Sequence, residues 1–307
     1  MSVGRHTADH VGSRRRLKVA VSLLLVASAI VGVAIGLVVT KSDSTHVVVG
    51  SKPSPTVVIP KSSTSLTTAG RPVTPSSIGN TSTTSTSGAL AGMVVAIDPG
   101  HNGGNFTDSS YINAPIWNGR ESEACDTTGT ETDAGYTEAQ FNFNVAQFLA
   151  ADLEAEGAKV VLTRTTNTGV GPCVTQRAAI GNAAHANAAV SIHADGGPAT
   201  GRGFAVLEPV ADGPNDSVIA QSASLGADIR GAFLSQNLEP VSNYDGVDGI
   251  QPRDDLAGLN LTTVPKVLVE CANMRNAVDA ALIVTPAWQQ SVASVLAAAI
   301  RQFLTAG

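Results

Sequence analysis

From residue 19 to residue 39 the chain carries no charged side chain, and Val, Leu, Ile and Ala dominate the run. A helix of that length extends about 31 Å, enough to cross the ~30 Å hydrocarbon core of a bilayer. Arg14, Arg15, Arg16 and Lys18 stand immediately before it. The positive-inside rule therefore leaves residues 1–18 in the cytoplasm as a basic tail and exports everything that follows. A cleaved secretory signal has an apolar stretch of only ~7–15 residues, and the small triplet Ala27-Ser28-Ala29 lies inside this run, not behind it. The arginine cluster also resembles a twin-arginine export signal, which implies the same direction of transport. The expectation is an uncleaved single-pass transmembrane helix over 19–39, placing the protein at the cell membrane.

A tether follows. Between residues 51 and 90, Ser, Thr and Pro fill 24 of 40 positions, and no aromatic residue occurs. Such a stretch cannot bury enough apolar surface to offset its ordering entropy, so 40–92 reads as a disordered linker. Charge divides at the same place. Nine Lys/Arg face two acids up to residue 92, whereas ten face twenty-three in 93–307. An acidic domain excludes nucleic acid as a partner, because nucleic-acid binding wants a basic face.

Residues 93–307 suffice for one core. Residues 93–97 form a short apolar run ended by Asp98-Pro99-Gly100, a buried strand and then a turn. Phe141, Val145, Phe148 and Leu149 recur at helical spacing, and Gly157 closes that helix. Further strands are expected at 159–163, 189–192, 203–207 and 267–269, and helices at 174–188, 218–234, 277–284 and 287–304. Alternation of this kind predicts an α/β three-layer sandwich, a mostly parallel twisted sheet with helices on both faces.

Three groups capable of chemistry fall at the C-terminal ends of these strands. His101 follows the first, His193 closes Ser191-Ile192-His193, and Glu270 closes Val267-Leu268-Val269-Glu270. Ligands bind at that edge in open α/β sheets. Glu138 stands three residues before Phe141 and seven before Val145, on the core-facing stripe of its helix. A carboxylate there needs a partner, and Zn²⁺ supplies one. His101, Glu138 and His193 have the His₂Glu composition of catalytic zinc sites, and Glu270 is placed as the general base beside the metal. No other cofactor site is expected, since Gly103-Gly104 lacks the lysine of a phosphate loop.

Four blocks in order carry a resemblance to a family. They are Val94 through His101; Glu138 through the strand ending Thr163-Arg164; Ser191-Ile192-His193-Ala194; and Val264 through Glu270 with Asn273 and Asn276. Together they resemble the zinc-dependent N-acetylmuramoyl-L-alanine amidases that cut bacterial peptidoglycan. The resemblance implies that His101, Glu138 and His193 bind zinc and that Glu270 is catalytic. It further implies hydrolysis of the amide between the muramic acid lactyl group and L-alanine, with peptidoglycan or a muropeptide as substrate. Two alternatives stay open: a catalytically silent wall-binding or regulatory relative, and a zinc peptidase cutting within the stem peptide. A monomer is expected, and an activator protein is left undefined.

Several residues carry secondary expectations. Cys125 and Cys173 are paired as a disulfide, permitted outside the cytoplasm, with Cys271 free and buried. Arg164 and Arg177 are expected in ordinary surface ion pairs, or meeting stem carboxylates. Asp98 is expected to cap its turn and orient His101. Arg253 with Asp254 and Asp255 reads as a polar turn. The long 102–137 connection either lines the groove or is a plain surface excursion.

Overall fold

A computed structural model describes residues 88–306. The expected anchor at 19–39 and nearly all of the expected linker lie outside the described residues. Among the described residues no single helix is long and apolar enough to cross a membrane. The folded part starts earlier than residue 93: Leu90 is fully buried, and its N–H donates to the Glu156 carbonyl.

The apolar runs become a six-stranded sheet. Its members are β1 (Val94–Pro99), β4 (Lys159–Leu162), β5 (Ala188–Asp195), β6 (Ala205–Pro209), β7 (Ile250–Arg253) and β8 (Lys266–Asn273), in the order β4-β1-β5-β8-β6-β7. All neighbouring pairs are parallel except β6 with β8. β8 lies between β5 and β6, and its middle, Val267-Leu268-Val269, is a continuous apolar run as expected of a central strand. A short helix, α1 (Ser109–Ile112), and a two-stranded hairpin, β2 (Pro115–Trp117) and β3 (Ser122–Ala124), lie in the long connection after β1.

One face of the sheet carries the larger core. α2 (Glu138–Ala155), α4 (Ile219–Ser235) and α7 (Pro286–Thr305) pack there. Thr137 starts α2 by accepting a hydrogen bond from the Gln140 N–H at 3.3 Å, a cap of the usual Ser/Thr kind. Gly157, at φ +93°, turns the chain out of it. Between those ends Phe141, Val145, Leu149 and Leu153 are fully buried, each contributing about 1.5–3 kcal/mol by leaving water. The other face is thinner. α3 (Val174–Ala183) rests on a patch of Ala96, Ala186, Ala189 and Val264, and α5 (Ala257–Asn260) packs its Leu259 against Ala205 and Leu207. The result is the expected three-layer α/β arrangement. After Asn273 come α6 (Ala277–Ile283) and α7, the two expected C-terminal helices.

Two local expectations are corrected. The helix expected over 174–188 ends at Ala183, because His185 takes the left-handed conformation at φ +47° and Asn187 accepts the Val94 N–H at 2.8 Å. The strand β7 was not anticipated: it is four residues long and contains Pro252, tolerable on an edge strand. The disulfide Cys125–Cys173 is present and Cys271 is free and buried, as expected. Asn273 serves the loop after β5, donating to the Pro198 and Gly201 carbonyls at 2.8 Å each.

Candidate active site

Parallel pairing of β1, β5 and β8 brings their C-terminal ends into line. His193 on β5 is in register with Glu270 on β8, and His101 follows β1. Glu138 opens α2 directly beneath them. The ligand atoms of His101, Glu138 and His193 all lie within 4.8 Å of one another. His101 Nε2 is 3.2 Å from Glu138 Oε2, and His193 Nδ1 is 2.8 Å from Glu138 Oε1. Bonds of ~2.0–2.1 Å in a tetrahedral site separate ligand atoms by about 3.3 Å, so the three residues fit a zinc ion with little movement. Glu270 lines the same cavity, and its buried Oε2 has no hydrogen-bond partner. An orphaned buried carboxylate oxygen demands a ligand, a proton or a cation.

The surroundings are shaped to these rings. A Cβ at Gly100 would overlap the His193 imidazole, and one at Gly129 would stand 2.7 Å from both Glu138 Oε2 and His101 Cδ2. Gly129 also has φ +71°, a conformation that itself favours glycine. Glu138 accepts from the Thr130 N–H at 3.0 Å and from Asn142 Nδ2, one helical turn on, at 3.2 Å.

Charge is concentrated here. Burial works against the His101 imidazolium, but Glu138 and Asp126 more than offset it and raise its pKa to about 10 in the metal-free protein. Burial likewise opposes the Glu138 carboxylate, yet His101 and His193 hold it well below the usual range. Glu270 goes the other way: burial first, then the charges of Glu138 and Asp195, push it well above the usual range. One carboxyl kept ionised and a neighbour kept basic is a division of labour suited to a ligand and a base.

The residue orienting His101 is Asp126, not Asp98. Asp126 Oδ1 lies 3.2 Å from His101 Nδ1, leaving Nε2 to face Glu138. Asp98 touches no histidine; its carboxylate accepts from Thr163 Oγ1 (2.7 Å), Ser191 Oγ (3.0 Å), Lys266 Nζ (3.0 Å) and Arg177 Nη1 (3.1 Å). Arg177 joins the two acids, with Nη2 3.2 Å from Asp126 Oδ2. The expectation of surface arginines is thereby corrected. Arg164 and Arg177 are only 5% and 3% exposed, and Arg164 donates to the Pro99, Gly100 and Ala139 carbonyls beneath the site. Asp126 was missed because it lies in the long connection without periodicity; its one signal was adjacency to Cys125, whose disulfide to Cys173 fixes it beside α3.

The long connection does line the site. Glu123, Ala124, Asp126 and Thr127 form part of the wall of a cavity of about 380 Å³ that also holds His101, His193 and Glu270. Arg253 turns into the same cavity from β7, while Asp255 grips it bidentately at 2.7 Å. His185 is exposed and precedes β5, at the strand end opposite His193.

A family model described as N-acetylmuramoyl-L-alanine amidase matches residues 95–302. The chain is 42% identical over 224 residues to the N-acetylmuramoyl-L-alanine amidase Rv3717 of Mycobacterium tuberculosis, covering 73% of this chain and 91% of the relative. The crystal structure of the N-acetylmuramyl-L-alanine amidase Ami1 from Mycobacterium smegmatis superposes with a TM-score of 0.67 at 40% identity, covering 71% of this chain and 99% of that one. Ami1 from Mycobacterium abscessus gives 0.67 at 38% identity, covering 70% and 100%. With its fold, the order of its four blocks and its match over most of the domain, the chain belongs to the N-acetylmuramoyl-L-alanine amidase family.

Proposed function

We propose that this chain is a zinc-dependent N-acetylmuramoyl-L-alanine amidase held at the outer face of the cell membrane by residues 19–39, where it remodels peptidoglycan. The observation that carries the chemistry is the meeting of His101, Glu138 and His193 within one small cavity with the unpartnered oxygen of Glu270. The three ligands would hold the ion, with Asp126 fixing His101 from its far nitrogen. Zinc bound there supplies Lewis acidity toward the amide carbonyl and acidifies a water molecule to a pKa of ~7.

Glu270 handles the proton. It takes one from the attacking water as the new C–O bond forms at the lactyl carbonyl, then delivers it to the alanyl nitrogen as the C–N bond breaks. The products are a lactyl carboxylate and a stem peptide with a free L-alanyl amine. Burial and the neighbouring Glu138 and Asp195 charges raise its affinity for the proton it carries between the two steps. The location is supported by the charge-free run at 19–39 behind Arg14–Lys18, with the catalytic domain extracytoplasmic.

Full-length protein in detergent, incubated with purified peptidoglycan, should release stem peptides that begin with L-alanine and leave lactyl-bearing glycan intact, as read by mass spectrometry. A chelator and Glu270→Ala should each abolish that release. Fragments cut inside the stem would instead establish a peptidase, and unaltered peptidoglycan would establish a silent relative.

A further inference from the structure

Two buried carboxyl groups share a single cation beside the loop that follows β5. Glu239, just after α4, and Asp279, in the first turn of α6, are 3% and 0% exposed. Arg202, between β5 and β6, donates through Nη2 to Glu239 Oε1 at 2.6 Å. Its Nε lies 3.0 Å from Asp279 Oδ1 without the alignment of a hydrogen bond. Asp279 Oδ2 is satisfied by the N–H groups of Gly203 and Asn273, at 3.0 and 3.1 Å. The other two oxygens, Glu239 Oε2 and Asp279 Oδ1, are buried with no hydrogen-bond partner.

With both acids ionised, one guanidinium faces two buried negative charges and two acceptor oxygens stay empty. A single proton removes both faults: the Glu239 hydroxyl donates and Asp279 Oδ1 accepts. The charged groups facing Glu239 are Arg202 and Asp279. On the neighbouring α4, Arg230 is paired with Asp248 and Asp228 accepts from Gln302, while Asp245 answers to Asp195 and Arg253. Burial first, then Asp279, outweigh Arg202 and push the Glu239 carboxyl up to about 7.

What the pair joins is one rim of the active site. The N–H groups of Phe204, Ser242 and Asn243 donate to the carbonyls of Pro240, Phe204 and Arg202 at 2.9, 2.8 and 3.2 Å, zipping the two segments together. Gly203 lies where they touch, since a Cβ there would stand 2.6 Å from the Pro240 oxygen. Beyond the zip Tyr244 lays its ring on Gly197 and Gly201, where a Cβ would come within 2.3 and 2.4 Å of ring atoms. The Tyr244 hydroxyl is hydrogen-bonded to Asp195, whose charge bears on Glu270. We propose that Glu239 and Asp279 share one proton that fastens residues 238–245 to the loop after β5, and that its loss as pH rises loosens this rim of the active site. The step is an ionisation: the Glu239 O–H bond breaks, the proton passes to solvent water, and the electron pair stays on Glu239. An acid raised in the folded state stabilises the clamp fully below its ordinary value of 4.5 and progressively less as pH climbs to about 7.

The test is amide hydrogen exchange of full-length, zinc-loaded protein, followed by mass spectrometry of peptides covering 202–204 and 241–245 and normalised to the intrinsic exchange rate at each pH. Wild-type protection there should fall roughly tenfold per pH unit from pH 5 to about 7 and then level off. In Glu239→Gln the side-chain amide donates to Asp279 at every pH while its oxygen still accepts from Arg202, so the tight, low-pH protection should persist to pH 8. Glu239→Ala removes the proton without replacing its hydrogen bond, so protection should be low at every pH and equally flat. A pair that merely packs the segment in place would leave wild-type protection level with pH. That result, or a slope that survives in either variant, overturns the proposal.

Discussion

Arg177→Gln distinguishes two physical roles by magnitude alone. An exposed ion pair is worth ~0–1 kcal/mol, whereas removing one partner of a buried pair costs about 3–5 kcal/mol, because the other charge is left uncompensated. Arg177 stands at 3.1 Å from Asp98 and 3.2 Å from Asp126, and all three side chains are at most 7% exposed. The substitution strands two buried carboxylates, although Lys266 remains on Asp98 and His101 on Asp126. A loss of at least about 3 kcal/mol in urea-unfolding free energy is therefore expected, a large part of a typical ~5–15 kcal/mol total. Acid titration adds a signature. Burial pushes the Asp98 carboxyl up, but Lys266 and Arg177 outweigh it and hold the group well below the ordinary range. Its contribution is thus complete above the unfolded value of ~3.9 and drains away as pH falls below it. The variant should show a shallower loss of stability on acidification below about pH 4. Equilibrium unfolding of both proteins between pH 3 and 7 measures both effects. A change under 1 kcal/mol with an unaltered acid limb would refute the network as a structural element.

Further outcomes follow from the same geometry. Asp126→Asn should weaken zinc binding about 10–100-fold in chelator competition, as loss of an imidazole's outer partner generally does, and Asp126→Glu should recover part of it. Gly100→Ala should drive the His193 ring from its place, abolishing zinc uptake while the far-ultraviolet circular dichroism spectrum stays native. Replacing Cys125 and Cys173 by Ser opens a bridge spanning 48 residues and should cost about 4 kcal/mol on the chain-entropy relation, read by urea unfolding. In metal-stripped protein His101 is raised to about 10, so its contribution is full below ~6.5 and lost as pH rises toward the folded value. Tm of the stripped wild type should fall across that window, and His101→Gln should flatten the fall.

The parts of the molecule legible in its sequence are those where chemistry interrupts an apolar run. β1, β5 and β8 are continuous hydrophobic stretches ended by Asp98-Pro99-Gly100-His101, His193 and Glu270, and parallel pairing aligns such ends. Glu138 was visible because a carboxylate on the buried stripe of a helix needs an explanation. Asp126 was not, since no periodicity links a connecting loop to an imidazole 25 residues away. Arg177 was misjudged for a related reason: helical spacing says which face a residue occupies, not that two acids from distant segments wait beneath it. Nothing in the sequence marks Lys266 as a partner of Asp98. Only the register of three strands shows that its ammonium reaches Asp98, two strands away.

The central claim is that amide hydrolysis depends on one zinc held by His101, Glu138 and His193. Stripping the full-length protein with a chelator and titrating zinc back, with metal content and release of L-alanyl stem peptide followed together, tests it directly. Activity should return in proportion to zinc and plateau at one ion per chain, while His193→Ala neither retains the ion nor recovers. Full turnover by stripped protein, or stoichiometric zinc in the His193→Ala chain, would contradict it.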